Sequence, residues 1–532
     1  MRFHVYLVFL PSTIAFQFPF KLPDLFSSNS FVTQPQATDS LVSNVSRIAI
    51  IGAGAGGSSA AFWVSKAKER FGLEVEIDVY ERNGYIGGRS TTVYPYNDTS
   101  LPELELGASI FVEANKNLWR ASDEFNLTRR DFHDQDYETG IWDGEKLLFS
   151  FSGGWWDTAK FIWRYGFLSP KRVESFVRSV VQQIYALYDE NPPKWDNISN
   201  LSGVLGWSEL TNTTTLQHFL AQGVSEKYIS EMVEAATRVN YGQNADKIHA
   251  LEGACSMAAS GASGIAGGNF QIFEQFLNRS RANVYLNTPV ASILPKSSSS
   301  HLWSVKSSRG TVDYRAVILA APFHSTGLAV PLSISDKIPE QPYVHLHVTL
   351  LSTTSPAPNP SYFGLPSSSP VPQMVLTTNQ GAREGGKKPE FNSLSYHGLV
   401  RDGEWAVKIF SNERLSDEWL SNMFEGKVGW VHRKEWDAYP KLPPTSEFPP
   451  VKLDRGLYYV NSFEPFISTM ETETVSSRNA VDLLLNDEFD ASICGQRISA
   501  AESDHQGSDK TKTTPSPPPT KKSSDFVFGW DC

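Results

Sequence analysis

Gly52, Gly54 and Gly57 carry the first chemistry legible in this 532-residue chain. They stand in the spacing G-x-G-x-x-G, with Ala53, Ala55 and Gly56 between them. In such a turn the first glycine permits a tight bend and the second lets backbone approach a pyrophosphate. The third lets a helix pack on the preceding strand, with the helix start facing the anion. Glu81 follows at the end of the next apolar run, where a carboxylate can accept both hydroxyls of an adenosine ribose and would repel a 2′-phosphate. FAD and NAD both satisfy that pair, whereas NADP does not. Arg82 and the run Gly87-Gly88-Arg89 then add unobstructed backbone and a guanidinium fork, which suit a second approach to a diphosphate. A nicotinamide cofactor has no need of it, so the residues favour FAD.

These groups converge only if particular elements hold them. Arg47–Ile51 reads as a short β-branched strand, Ser58–Arg70 as a helix, and Val75–Tyr80 as a second strand ending at Glu81. The fold class predicted is α/β, with a discontinuous Rossmann-type FAD-binding domain and an inserted α+β substrate-binding domain. Residues 47–115, 250–328 and 455–487 are assigned to the first and residues 116–249 and 329–454 to the second. The earlier insertion reads as helical and is rich in aromatic residues at Trp155, Trp156, Phe161, Trp163 and Phe167. Those rings suit either a packed core or an apolar substrate groove.

The run Glu81-Arg82-x(4)-Gly87-Gly88-Arg89 behind G-x-G-x-x-G resembles the FAD-binding opening of the amine oxidase and phytoene desaturase superfamily. Leu104–Ser109 is similar to the superfamily segment beside the flavin ring, which implies that Gly107, Ala108 and Ser109 lie there. "VYLNTPVASI" resembles the position where a valine, here Val290, packs on the adenine. "AVILAAPF" resembles the strand that closes the sheet. Near the end, Leu457 onward is similar to the final strand-and-helix unit, which implies that Glu464 reaches the ribityl and pyrophosphate; the usual Ala-Gly-Glu is Ser462-Phe463-Glu464 here.

Within that superfamily, "RVNYGQ" from Arg238, "AVKIFS" from Ala406, "WDAYPKLPP" from Trp436 and "LYYVNSFE" from Leu457 resemble the prenylcysteine oxidases, or farnesylcysteine lyases. The resemblance implies a thioether oxidase that cleaves farnesyl- or geranylgeranyl-cysteine with O2 and water, giving cysteine, a prenyl aldehyde and hydrogen peroxide. Such a substrate needs no strong base. Its C1 is allylic and adjacent to sulfur, so the cation left by hydride loss is doubly stabilised; water adds and the hemithioacetal collapses. An amine or polyamine oxidase of the same superfamily and a non-catalytic flavin-binding glycoprotein are the alternatives. Arg238, Asn240 and Tyr241 are expected where the substrate domain meets the flavin, with Arg238 facing the amino acid's carboxylate. FAD is expected to be noncovalent.

The remaining features narrow the setting. A net charge of −11 disfavours nucleic acid as a partner. His345 and His347 alternate on a strand, but no carboxylate or third histidine is spaced along the chain to complete a site, so no metal is expected. Cys255, Cys494 and Cys532 imply no disulfide framework, and the odd count leaves at least one thiol unpaired or intermolecular. Residues 1–20 read as a signal peptide, and no segment is long enough to span a bilayer. Sequons at Asn44, Asn97, Asn126, Asn197, Asn200, Asn212 and Asn278 favour the secretory pathway, with a vacuolar, lysosomal or extracellular destination. Residues 496–532 read as a disordered tail.

Overall fold

The computed structural model describes residues 46–131, 138–151, 155–259, 261–297, 300–495 and 526–532. A six-stranded sheet runs in the order Lys452–Asp454, Leu457–Tyr459, Ala316–Leu319, Ser46–Ile51, Val75–Tyr80, Asn283–Tyr285. All pairs are parallel except the first, which is antiparallel. Its central strand shows why short β-branched runs suffice. Ile48 and Ile50 face one apolar cluster, Ala49 and Ile51 face another, and both sides are buried. The helix Ala55–Phe71 covers the first face together with Phe270–Ser280 and Met470–Phe489. A three-stranded antiparallel sheet over Val290–Ser297, Ser300–Ser307 and Gly310–Tyr314 contributes Ile293, Trp303 and Val305 to the second. This is the Rossmann-type α/β arrangement predicted from the glycines.

A seven-stranded sheet forms the other half, in the order Val428–Pro440, Tyr343–Thr353, Glu404–Ser411, Ser393–Arg401, Met374–Thr377, Thr139–Trp142, Leu147–Phe151. The last two strands come from the insertion read as helical. Thr139–Trp142 pairs parallel with Met374–Thr377, a partner distant in the chain that local patterning cannot show. The aromatic run divides. Phe161 packs with Phe149, Tyr165 and Tyr228, whereas Trp155, Trp156, Trp163 and Phe167 are exposed.

The chain end also differs from expectation. Residues 496–525 lie outside the described residues, but 526–532 are docked, and Cys532 forms a disulfide with Cys494. Val527 and Phe528 are buried, and Trp530 packs on Phe62 and Trp63 at 4.9 and 5.6 Å. Arg478 donates to the Phe528 carbonyl at 2.9 Å. An apolar heptad closing a polar stretch is the reason, because its rings find an exposed helix flank to cover. Cys255 is the thiol left free.

Candidate active site

A cavity of about 480 Å3 opens where the carboxyl ends of the parallel strands meet the seven-stranded sheet. Two glycine stretches floor it. Gly54 and Gly87 form an isolated parallel bridge, and the Gly87 N–H donates to the Ala53 carbonyl at 2.9 Å. The reasons for glycine differ along the turn. A Cβ on Gly57 would sit 1.9 Å from the Gly52 carbonyl oxygen, so Gly57 is required by helix-on-strand packing. A Cβ on Gly54 would meet nothing nearer than Gly88 Cα at 3.8 Å. The protein's own packing does not demand Gly54, which lines the cavity.

Glu81 closes the second strand, buried at 6% exposure, and lines the same cavity. Its Oε2 accepts the Ala53 N–H at 2.9 Å, and its Oε1 accepts the Asn83 N–H and Nδ2 at 2.8 and 2.7 Å. The acid is thereby tied to the glycine turn. Val290 lines the cavity near Pro289 and Thr288, as do Gly52, Ala55, Gly56 and Gly88. Arg82 lies on the rim and donates to the Ser325 carbonyl at 2.9 Å. Ala53 and Gly57 stand behind this surface, as packing and hydrogen-bonding residues.

Arg89 lies on the cavity as expected, whereas Glu464 departs from the expected arrangement. Arg89 lines the cavity, donates to the Ala438 carbonyl at 3.0 Å and is ion-paired with Glu464. Glu464 is only 1% exposed and does not line the cavity; it also accepts the Tyr343 hydroxyl at 2.5 Å and Asn461 Nδ2 at 3.2 Å. A 3-10 turn over Val460–Phe463 carries it behind Arg89, so it orients that guanidinium. The acid that does line the cavity is Glu473, in the first turn of the last long helix. Burial, with Glu464 nearby, raises its carboxyl well above the ordinary range, which favours the neutral form.

Ser90 Oγ, Trp436 Nε1, Asn461 Oδ1 and Glu473 Oε1 are buried and have no hydrogen-bond partner among the described residues. All four residues line this cavity. An unsatisfied buried polar group costs about 1–3 kcal/mol, so their convergence marks a place for a polar ligand. With the glycine floor and the ribose acid, these residues fit FAD.

Beside the cavity, Gly107 and Ala108 contribute to the wall, while Ser109 turns away. Ser109 Oγ accepts from Lys408 Nζ at 3.0 Å. Glu105, two residues before Gly107, accepts the Asn269 N–H at 2.7 Å. Burial pushes Glu105 up to about 7 and Lys408 down to about 8, each pulled back in part by the other. This buried acid and base escaped the sequence reading. Their signal was a lysine inside the apolar strand "AVKIF" and a glutamate between two leucines.

The three substrate-pocket residues predicted from sequence do not line the cavity. Arg238 is 3% exposed, and its guanidinium donates to Thr377 Oγ1, Asn244 Oδ1 and Asn392 Oδ1 at 2.9, 2.8 and 2.9 Å. It ties a helix to the end of the strand Met374–Thr377 and to Asn392, just before the strand Ser393–Arg401, and has no access to a substrate carboxylate there. Asn240 donates to the Ser256 carbonyl at 3.1 Å. Tyr241 packs edge-on against Tyr439 at 5.7 Å, and Tyr439 lines the cavity, which places Tyr241 one ring behind it. The sheet wall is made instead by Tyr343, Leu346, Lys434, Trp436 and Tyr439. Asn97, Asn126, Asn197, Asn200, Asn212 and Asn278 are all exposed, and Asn44 and residues 1–20 lie outside the described residues.

Comparison with known proteins agrees with this architecture. Residues 151–493 match the family model described as prenylcysteine lyase, and residues 50–125 match an NAD(P)-binding Rossmann-like domain. Farnesylcysteine lyase of Arabidopsis thaliana is 32% identical over 498 residues, spanning 88% of this chain and 95% of that protein. Prenylcysteine oxidase 1 of Homo sapiens is 30% identical over 463 residues, spanning 82% and 88%. Among solved structures, a putrescine oxidase superposes with a TM-score of 0.55 at 16% identity, covering 82% of this chain and 99% of that one. Cyclohexylamine oxidase from Brevibacterium oxydans gives 0.53 at 14% identity, covering 83% and 99%. These last two share the fold, whereas the family match runs through the strands that wall the cavity opposite the glycines. The chain belongs to the prenylcysteine lyase family.

Proposed function

We infer that this protein is an FAD-dependent oxidase that cleaves prenylcysteines, with farnesyl- or geranylgeranyl-cysteine as substrate and O2 and water as co-substrates. The observation that carries the reading is that family-matched strands and the glycine turns wall one cavity. Gly52, Gly54 and the start of the Ala55–Phe71 helix would face the pyrophosphate, with Gly87, Gly88 and Arg89 opposite. Glu81 would bind the adenosine ribose and Val290 the adenine. Asn461 and Glu473 would face sugar-like hydroxyls, and the raised carboxyl of Glu473 favours its neutral, donating form. Bound FAD supplies the two-electron acceptor that thioether oxidation requires and returns those electrons to O2.

The protein's own part is orientation and the exclusion of bulk water. Glu464 and Tyr343 fix Arg89, and Lys408 fixes Ser109 behind the Gly107–Ala108 wall. Leu346, Trp436 and Tyr439 offer an apolar flank for an isoprenoid chain. A secretory destination, vacuolar, lysosomal or extracellular, is supported by the six exposed sequon asparagines and by the Cys494–Cys532 disulfide, which suits an oxidising compartment. The test incubates the holoprotein with farnesylcysteine, geranylgeranylcysteine, putrescine and an aromatic amine. Free cysteine and peroxide released together from the thioethers are expected; peroxide from the amines alone would replace this reading with an amine oxidase.

A further inference from the structure

The strand Tyr343–Thr353 and the edge strand Val428–Pro440 run antiparallel, with His345 opposite Asp437 and His347 opposite Glu435. Alternate residues of a strand share a face, so this register sets two imidazoles against two carboxylates. His345 Nδ1 lies 3.1 Å from Asp437 Oδ1, and His347 Nδ1 lies 3.6 Å from Glu435 Oε2. One ligand atom from each of His345, His347 and Glu435 falls within 4.8 Å of the other two. The carboxylates are distant from the histidines along the chain but stand opposite them on the neighbouring strand.

We propose that His345, His347 and Glu435 form a binding site for a divalent transition metal of the zinc or copper class, with Asp437 as a fourth ligand or as the carboxylate that orients His345. Imidazole nitrogen with carboxylate oxygen suits Zn2+ or Cu2+, while Mg2+ and Ca2+ demand oxygen throughout. Zinc bonds of about 2.0–2.2 Å hold ligand atoms closer together than they stand here, so the cluster must contract. His345 and Glu435 are exposed, which lets side-chain rotation achieve this without moving the core. The neighbouring cations do not compete for Glu435. Arg433 is bound to Asp417 and the Leu415 carbonyl, and Lys434 lines the cavity and lies 5.7 Å from the Trp436 ring. Asp437 also lines the cavity, and Tyr343, two residues before His345, holds Glu464. An ion here would clip the edge strand to its neighbour at the cavity rim.

The experiment is calorimetric titration of EDTA-treated, desalted holoprotein with ZnCl2, with MgCl2 as a control, alongside His347→Ala, His345→Ala and Glu435→Gln. One saturable zinc site per chain is expected, with no magnesium binding. Each histidine variant should weaken zinc affinity at least about tenfold and Glu435→Gln about fivefold to tenfold, while the flavin absorbance of every variant matches the wild type. Saturating zinc should also raise the wild-type Tm by roughly 2 °C, and should leave that of His345→Ala unchanged. Failure of the wild type to bind zinc saturably, or undiminished affinity in His345→Ala and Glu435→Gln, would overturn the site and leave two solvated histidine–carboxylate pairs.

Discussion

The two halves of the molecule hold the cavity by different means. On the parallel-sheet side the floor is glycine backbone, helix-start N–H groups and one strand-end acid from a short stretch of chain, to which Val290, Asn461 and Glu473 add side chains from later segments. On the seven-stranded side it is side chains, and the strands that carry Tyr343 and Trp436 meet through antiparallel pairing of distant segments. A backbone site depends on where a Cβ is forbidden, which single residues announce. A side-chain site depends on which strands become neighbours, which no local pattern announces.

The sharpest break in that comparison lies within the glycine turn. Gly57→Val places carbon against the Gly52 carbonyl and should abolish soluble protein. Gly54→Val finds room in the protein itself, so it should yield folded but colourless protein, because the added side chain occupies the cavity. Circular dichroism and flavin absorbance of the two variants decide the matter. A yellow Gly54→Val would place the cofactor elsewhere.

The opposite half predicts the reverse pattern. Arg238→Met strips two buried oxygens, on Thr377 and Asn392, and the half-buried Asn244 Oδ1 of their donor and should cost roughly 2 to 4 kcal/mol of stability. A fall of several degrees in Tm is expected, with KM for farnesylcysteine within about twofold of wild type in the folded enzyme. A large rise in KM at unchanged Tm would return Arg238 to the substrate.

Between these extremes stands Glu81, a side chain held by the backbone turn. Glu81→Ala removes a charged acceptor for two hydroxyls, worth roughly 1.5 to 3 kcal/mol, or about tenfold to over a hundredfold in FAD affinity. Fluorescence titration of the apoprotein measures it. An unchanged Kd would reduce Glu81 to a brace for Ala53 and Asn83.

What the sequence disclosed follows the same division. Gly52, Gly54, Ala55, Gly56, Glu81, Gly87 to Arg89 and Val290, singled out from the sequence, all line the cavity, because steric need and strand-end position are local properties. Glu473 was not, since a glutamate in a helix that is buried almost all round looks like any other polar residue until the neighbouring strand is placed. Arg238 was expected at the substrate but lies off the cavity, because its partners Thr377 and Asn392 come from segments far along the chain. The closing residues 526–532 were read from the polar stretch before them. Their rings and Cys532 have meaning only against Phe62, Trp63 and Cys494.

The smallest effect concerns Glu252, which lies where the two halves abut. Its Oε1 accepts the N–H of Ser468, a cavity residue, while its Oε2 is buried without a partner among the described residues. Burial pushes its carboxyl from 4.5 up to about 8, against the pull of the nearby Tyr241 hydroxyl and the Ser468 N–H. A raised carboxyl pKa means that the folded state prefers the proton. The stability this confers is complete below about 4.5 and is lost as pH rises towards 8, because above that range folding must bury a carboxylate. Glu252→Gln keeps the neutral shape and has no proton to lose. The wild type and the variant should therefore melt within about 1 °C of each other at pH 5, and the variant should gain a widening advantage up to pH 8. Tm differences that stay constant from pH 5 to pH 8 would show that Glu252 is already ionised in the fold. A gap that opens with pH would mean that this junction between backbone site and side-chain wall is most stable in an acidic compartment.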